Sequence, residues 1–172
     1  MRRSISEAVH VSGHLIEGSF KMILNNESGK YAANIVQTAV DPQMDPEFKK
    51  IYNRFARRIV WIDDDVVPGA IQMNTAWYHS DPERDPIFEE HVHEDADELI
   101  GFFGSDPEHP NELNAEIEFT IGGETHLLTK SSIIFVPAGV PHNPMRIRNV
   151  VKPMFHFSVV TTGKYDGTAT YR

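Results

Sequence analysis

The chain has 172 residues, with 16 Lys and Arg against 25 Asp and Glu, nine His and no Cys. A chain of this length buries about two-thirds of its unfolded surface in one domain, and the missing thiols exclude disulfides, thiolate nucleophiles and Cys-held metal centres. The net charge of −9 argues against nucleic acid as a partner, and no apolar run reaches the ~18 residues of a membrane span.

No apolar segment follows Met1-Arg2-Arg3, so a cytoplasmic location is expected. Residues 1–17 read as a polar arm. The apolar runs at 19–24 and 31–40 flank Asn25-Asn26-Glu27-Ser28-Gly29, which is turn chemistry, so a hairpin is expected there. Asp45 suits a helix N-cap and Pro46 the first helical position. Phe48, Ile51, Tyr52, Phe55 and Ile59 then recur at helical spacing, which predicts a helix over 45–61. Asp63-Asp64-Asp65 before Pro68-Gly69 reads as an acidic turn.

Beyond residue 70 the pattern turns to strands, at 70–79, 87–93, 98–104, 115–121, 124–129, 133–137, 145–147 and 154–160. Gly122-Gly123 is a two-residue hairpin signal. Many short strands with frequent turns indicate an all-β sandwich or barrel. We expect residues 1–62 to form an N-terminal arm, hairpin and short helix packed on a barrel built from residues 63–172. The tail from Thr161 is small and polar, and loose attachment is expected.

The densest chemistry lies at His91-Val92-His93-Glu94-Asp95-Ala96-Asp97-Glu98. On a strand, His91 and His93 project to the same side, and Glu98 opens the next run facing back across the turn. A second segment, Phe135-Val136-Pro137-Ala138-Gly139-Val140-Pro141-His142, ends a strand in a rigid turn that presents His142. Three imidazoles and a carboxylate suit one divalent transition metal: Fe, Mn, Ni, Co or Zn. Four protein ligands on a six-coordinate ion leave two positions for substrate or water.

These segments resemble the two motifs of the cupin superfamily, small β-barrels of the double-stranded-helix (jelly-roll) type. His91-x-His93-x4-Glu98-x5-Gly104 is similar to the first motif and Pro137-x-Gly139-x2-His142 to the second. Asp85 and Ser131 stand where the motifs begin with Gly, Gly104 comes one residue early, and Arg146 replaces a terminal Asn. The resemblance covers about residues 70 to 160. It implies that His91, His93, Glu98 and His142 are the metal ligands and that the chain is a homodimer.

Strand parity supplies further candidates. His156 and Ser158 alternate against Phe155, Phe157 and Val159, and one of these sets faces inward. If it is the polar set, His156 is a base or orienter near the metal. Phe102 shares a face with Glu98 and is expected to wall the pocket. Trp77 is a candidate for stacking on substrate, and Arg146 for binding a substrate carboxylate. No G-x-S-x-G elbow, P-loop, G-x-G-x-x-G or H-E-x-x-H motif competes. The expected function is that of a metal-dependent enzyme acting on a small polar, carboxylate-bearing molecule. The alternative is a non-catalytic cupin that binds or senses a small ligand, and fold alone does not decide between them.

Overall fold

A computed structural model describes residues 29–37 and 44–163. The chain divides into two compact units, Met1–Ile35 and Val36–Arg172. Of the first unit the described part contains a 3₁₀ turn, Ala32–Asn34. No strand forms over the described residues of the run expected at 31–40, and residues 19–24 lie outside the described ones.

In the second unit, helix α1 (Pro46–Phe55) begins as its sequence requires. The Asp45 carboxylate accepts from the amides of Glu47 and Phe48, at 3.0 and 2.9 Å, satisfying two amides that lack helical partners. Phe48, Tyr52 and Phe55 are buried. The helix ends at Phe55, not at 61. Ala56 is extended, and Ala56–Ile62 forms strand β1. Ile59, Val60, Trp61 and Ile62 are β-branched or aromatic, and a neighbouring strand is there to pair with them. β1 lies inside the expected N-terminal segment, yet it is hydrogen-bonded into the main sheet beside β2 (Gln72–Tyr78).

The remaining strands are β3 (Glu98–Gly104), β4 (Glu112–Ile121), β5 (Glu124–Lys130), β6 (Ser132–Val136), β7 (His142–Arg148) and β8 (Met154–Val160). They make two antiparallel sheets, a five-stranded one in the order β1-β2-β8-β3-β6 and a three-stranded one in the order β5-β4-β7. Gly122 and Gly123 join β4 to β5 with φ of 56° and 83°, the left-handed pair that a tight hairpin needs. One core lies between the sheets. Ile100, Phe102 and Met154 of the larger sheet meet Ile117, Phe119, Met145 and Ile147 of the smaller. The expected strand at 87–93 is reduced to two isolated bridges, Phe88 with Met145 and His91 with His142.

The start of the expected loose tail is tied down. Thr161 N–H donates to the Asp97 carbonyl at 3.1 Å, and Gln72 N–H donates to the Thr162 carbonyl at 2.8 Å. Residues 164–172 lie outside the described ones. No helix among the described residues is long and apolar enough to cross a membrane.

Candidate metal centre

Register decides which residues share the inner face of the five-stranded sheet. Gln72 of β2 stands opposite Val160 of β8, which stands opposite Glu98 of β3. Two rows further along, Ala76, His156 and Phe102 are aligned in the same way. Gln72, Glu98, His156 and Phe102 are all buried.

Glu98 enters the site from the first residue of β3 and His142 from the first residue of β7. His91 and His93 arrive on a segment outside the regular strands. Backbone bonds hold that segment to the second motif. His91 and His142 exchange reciprocal N–H···O bonds, each 3.0 Å, and Gly139 N–H donates to the His93 carbonyl at 2.8 Å. The Asp97 carboxylate accepts from Ala138 N–H at 2.9 Å, pinning one turn to the other. Nothing in the local sequence marks Asp97 for this role, because its partner lies 41 residues away.

The result is a buried group of four potential ligands, His91, His93, Glu98 and His142, whose ligand atoms all lie within 4.8 Å of one another. Glu98 Oε2 is 2.8 Å from His142 Nε2 and 3.4 Å from His93 Nε2. Bonds of about 2.1 Å place adjacent ligands of an octahedral ion about 3.0 Å apart and opposite ones about 4.2 Å apart, so a slight contraction seats a transition ion. Glu98 Oε2 and His142 Nε2 make no well-angled hydrogen bond, although both are buried. Atoms so placed are costly unless something sits between them.

The protonation states also fit a metal. His91 Nδ1 lies 3.1 Å from the Glu89 carbonyl and His142 Nδ1 lies 3.2 Å from the Val140 carbonyl. A carbonyl only accepts, so each Nδ1 carries a proton, and Nε2 is the nitrogen that faces the site as a potential ligand. Burial lowers the pKa of His91, so its ring is neutral at pH 7. Burial alone would raise Glu98, but the His142 and His93 imidazoles outweigh it and hold the carboxyl at about 2. A neutral His91 ring and an ionised Glu98 carboxylate are forms that bind a divalent ion.

The other expected site residues divide. His156 and Phe102 are on the inner face, and the polar set of β8 is the one that faces in. The His156 ring stacks between Tyr78 and Phe102, with centroids 4.7 and 4.9 Å away. Its Nδ1 lies 3.1 Å from the Gly101 carbonyl, which leaves Nε2 as the acceptor. Burial lowers its pKa to about 4.

Trp77 and Arg146 stand elsewhere. Trp77 is 39% exposed on the opposite face of the sheet, edge-on to Phe155 at 5.7 Å, because it alternates with buried Ala76 and Tyr78. Arg146 is opposite Glu118 in the three-stranded sheet, and its guanidinium is spent on Asp85 at 3.0 Å and Glu118 at 3.7 Å. Neither lines the centre. Parity showed which residues share a face, but not which face is inner.

No protein-family model matches the chain, and no curated protein matches it. Solved structures do. An oxalate oxidase in complex with the substrate analogue glycolate aligns over 95% of this chain and 73% of its own, with a TM-score of 0.50 and 13% identity. An uncharacterized conserved protein with a double-stranded β-helix domain from Klebsiella pneumoniae aligns over 89% of this chain and 100% of its own, with a TM-score of 0.47 and 17% identity. At such identities the likeness is one of fold.

Proposed function

On the cupin fold that this chain carries, we propose a metal-dependent enzyme in which His91, His93, Glu98 and His142 hold one divalent transition ion. Its substrate is a small polar molecule that coordinates the ion directly. The observation behind this reading is the convergence of four buried ligand atoms within 4.8 Å, drawn from two separated stretches of chain. When bound, the ion supplies Lewis-acid polarisation of a substrate oxygen.

The chain's own residues do the rest. Glu98 stays ionised and the Nδ1–H groups of His91 and His142 fix their rings. Tyr78 and Phe102 close the wall against water. His156, neutral at pH 7, offers Nε2 to a proton leaving the substrate.

Elemental analysis of purified protein tests the first step. One transition metal per chain is expected, and His91→Ala and His142→Ala should each lose it. Full metal in both variants overturns the assignment. Catalysis is tested by offering the loaded protein small hydroxy- and keto-acids and assaying for product. Tight binding of these acids without turnover of any would make the protein a binding module.

A homodimer is part of the same proposal. The outer face of the five-stranded sheet carries Trp77, Leu99, Ile133 and Phe135, which are 39, 37, 60 and 56% exposed. Across β2, β8, β3 and β6 its rows, completed by Met73, Thr75, Phe155, Phe157, Val159, Gly101 and Phe103, hold no charge, and Arg57 of β1, opposite Trp77, stands at their edge. On a chain of net charge −9 an apolar face without a single acidic side chain is suited to a second copy. Light scattering should give twice 19.5 kDa, and a monomeric mass overturns it.

A further inference from the structure

A buried donor on the inner face has no hydrogen-bond partner among the described residues. Gln72 is 0% exposed, and its Oε1 accepts from Val160 N–H at 3.2 Å. Its Nε2 is buried and makes no hydrogen bond. A carboxamide NH₂ in that state costs free energy that a bound acceptor would recover. Gln72 lies in the same lateral row as the ligand Glu98, with Val160 between them. Two strand spacings put the two Cα atoms about 10 Å apart, within the span of a small molecule whose far end reaches past Val160.

The residues beside Gln72 add donors and positive charge. Asn74 follows on the same buried face and its Oδ1 accepts from Arg58 Nη1. Arg58 of β1 stands opposite Ala76, which stands opposite His156. The small Ala76 leaves the guanidinium near enough to His156 for its charge to be felt there. A neutral donor and a cation on the same sheet face as Glu98, to one side of the metal centre, are complementary to a molecule with oxygen anions at both ends.

We infer that Gln72, with Arg58 held by Asn74, binds a second carboxylate on the substrate whose first end coordinates the metal. The substrate class is therefore a small dicarboxylate, such as a 2-hydroxy diacid, and not a monoacid. This rests on the metal reading above and extends it. It also gives Arg58 the carboxylate-binding role that the sequence suggested for Arg146.

L-lactate and L-malate separate the two ideas. Both offer a 2-hydroxycarboxylate to the metal, and only malate has a second carboxylate. By calorimetry on Co(II)-loaded protein, malate should bind at least tenfold more tightly than lactate. Gln72→Glu keeps an oxygen for Val160 N–H but replaces the donor by a negative charge. It should abolish the malate preference at unchanged cobalt content, and so should Arg58→Met, which leaves Gln72 intact. Lactate binding with no malate preference, or full preference in both variants, overturns the inference and leaves the metal centre standing. Failure to take up stoichiometric cobalt, with neither acid binding, removes the metal reading and this inference with it.

Discussion

His156 makes the stability of the metal-free protein depend on pH in a calculable way. Its pKa falls from 6.5 to about 4 on folding, chiefly because the stacked, buried ring cannot be hydrated when charged. The unfolded chain therefore binds the proton first. Stability is complete above pH 6.5 and declines as the pH falls toward 4. At roughly 1.4 kcal/mol per pH unit the full loss is about 3 kcal/mol. Glu98, with its pKa lowered from 4.5 to about 2, acts in a lower window, its contribution fading only below pH 4.5. His91 shifts in the same direction as His156 and adds to the slope. Gln in place of His156 retains a donor for the Gly101 carbonyl and removes the titration. Urea unfolding in EDTA at pH 7.5, 6, 5 and 4, followed by the fluorescence of the two Trp, measures the difference. The wild type should lose about 3 kcal/mol more than His156→Gln between the extremes. An equal pH slope in both proteins would refute the reasoning.

Three other outcomes are expected. Saturating the centre at a hundred times the dissociation constant should stabilise the fold by about 2.7 kcal/mol, a rise in melting temperature of about 5–10 °C that EDTA reverses. A Cβ at Gly104 would collide with the backbone oxygen of Glu112, which cannot swing aside as a side chain can. Gly104→Ala should therefore cost about 3 kcal/mol or more in chemical denaturation. Asp45→Ala removes the N-cap of α1 and should cost about 1 kcal/mol in the same assay, with metal content unchanged.

Local chemistry was legible where it was self-contained. Gly122-Gly123 requires a hairpin whatever surrounds it, and the two prolines and Gly139 before His142 admit few paths for the chain. The four residues that converge at the candidate centre were legible because each motif carries its own spacing. The helix end was not. Ile59 falls on the apolar stripe by coincidence, and only the pairing of Ala56–Ile62 with β2 draws those residues into a sheet. Gln72 was equally opaque. Its carboxamide becomes notable only when Val160, 88 residues away, takes one end and leaves the other bare. Trp77 and Arg146 failed for the same reason, since inside and outside are settled by register with distant strands.

The reciprocal bonds between His91 and His142 make the ligand set a product of chain closure. Each of these residues contributes an imidazole and also half of the backbone joint between the two motif segments. An unfolded chain holds its donors 51 positions apart and cannot chelate as a unit. On the proposed metal reading, an ion would be gained only once that seam has zipped and would leave only when it opens, so metal exchange and amide exchange at these two histidines would share one gate.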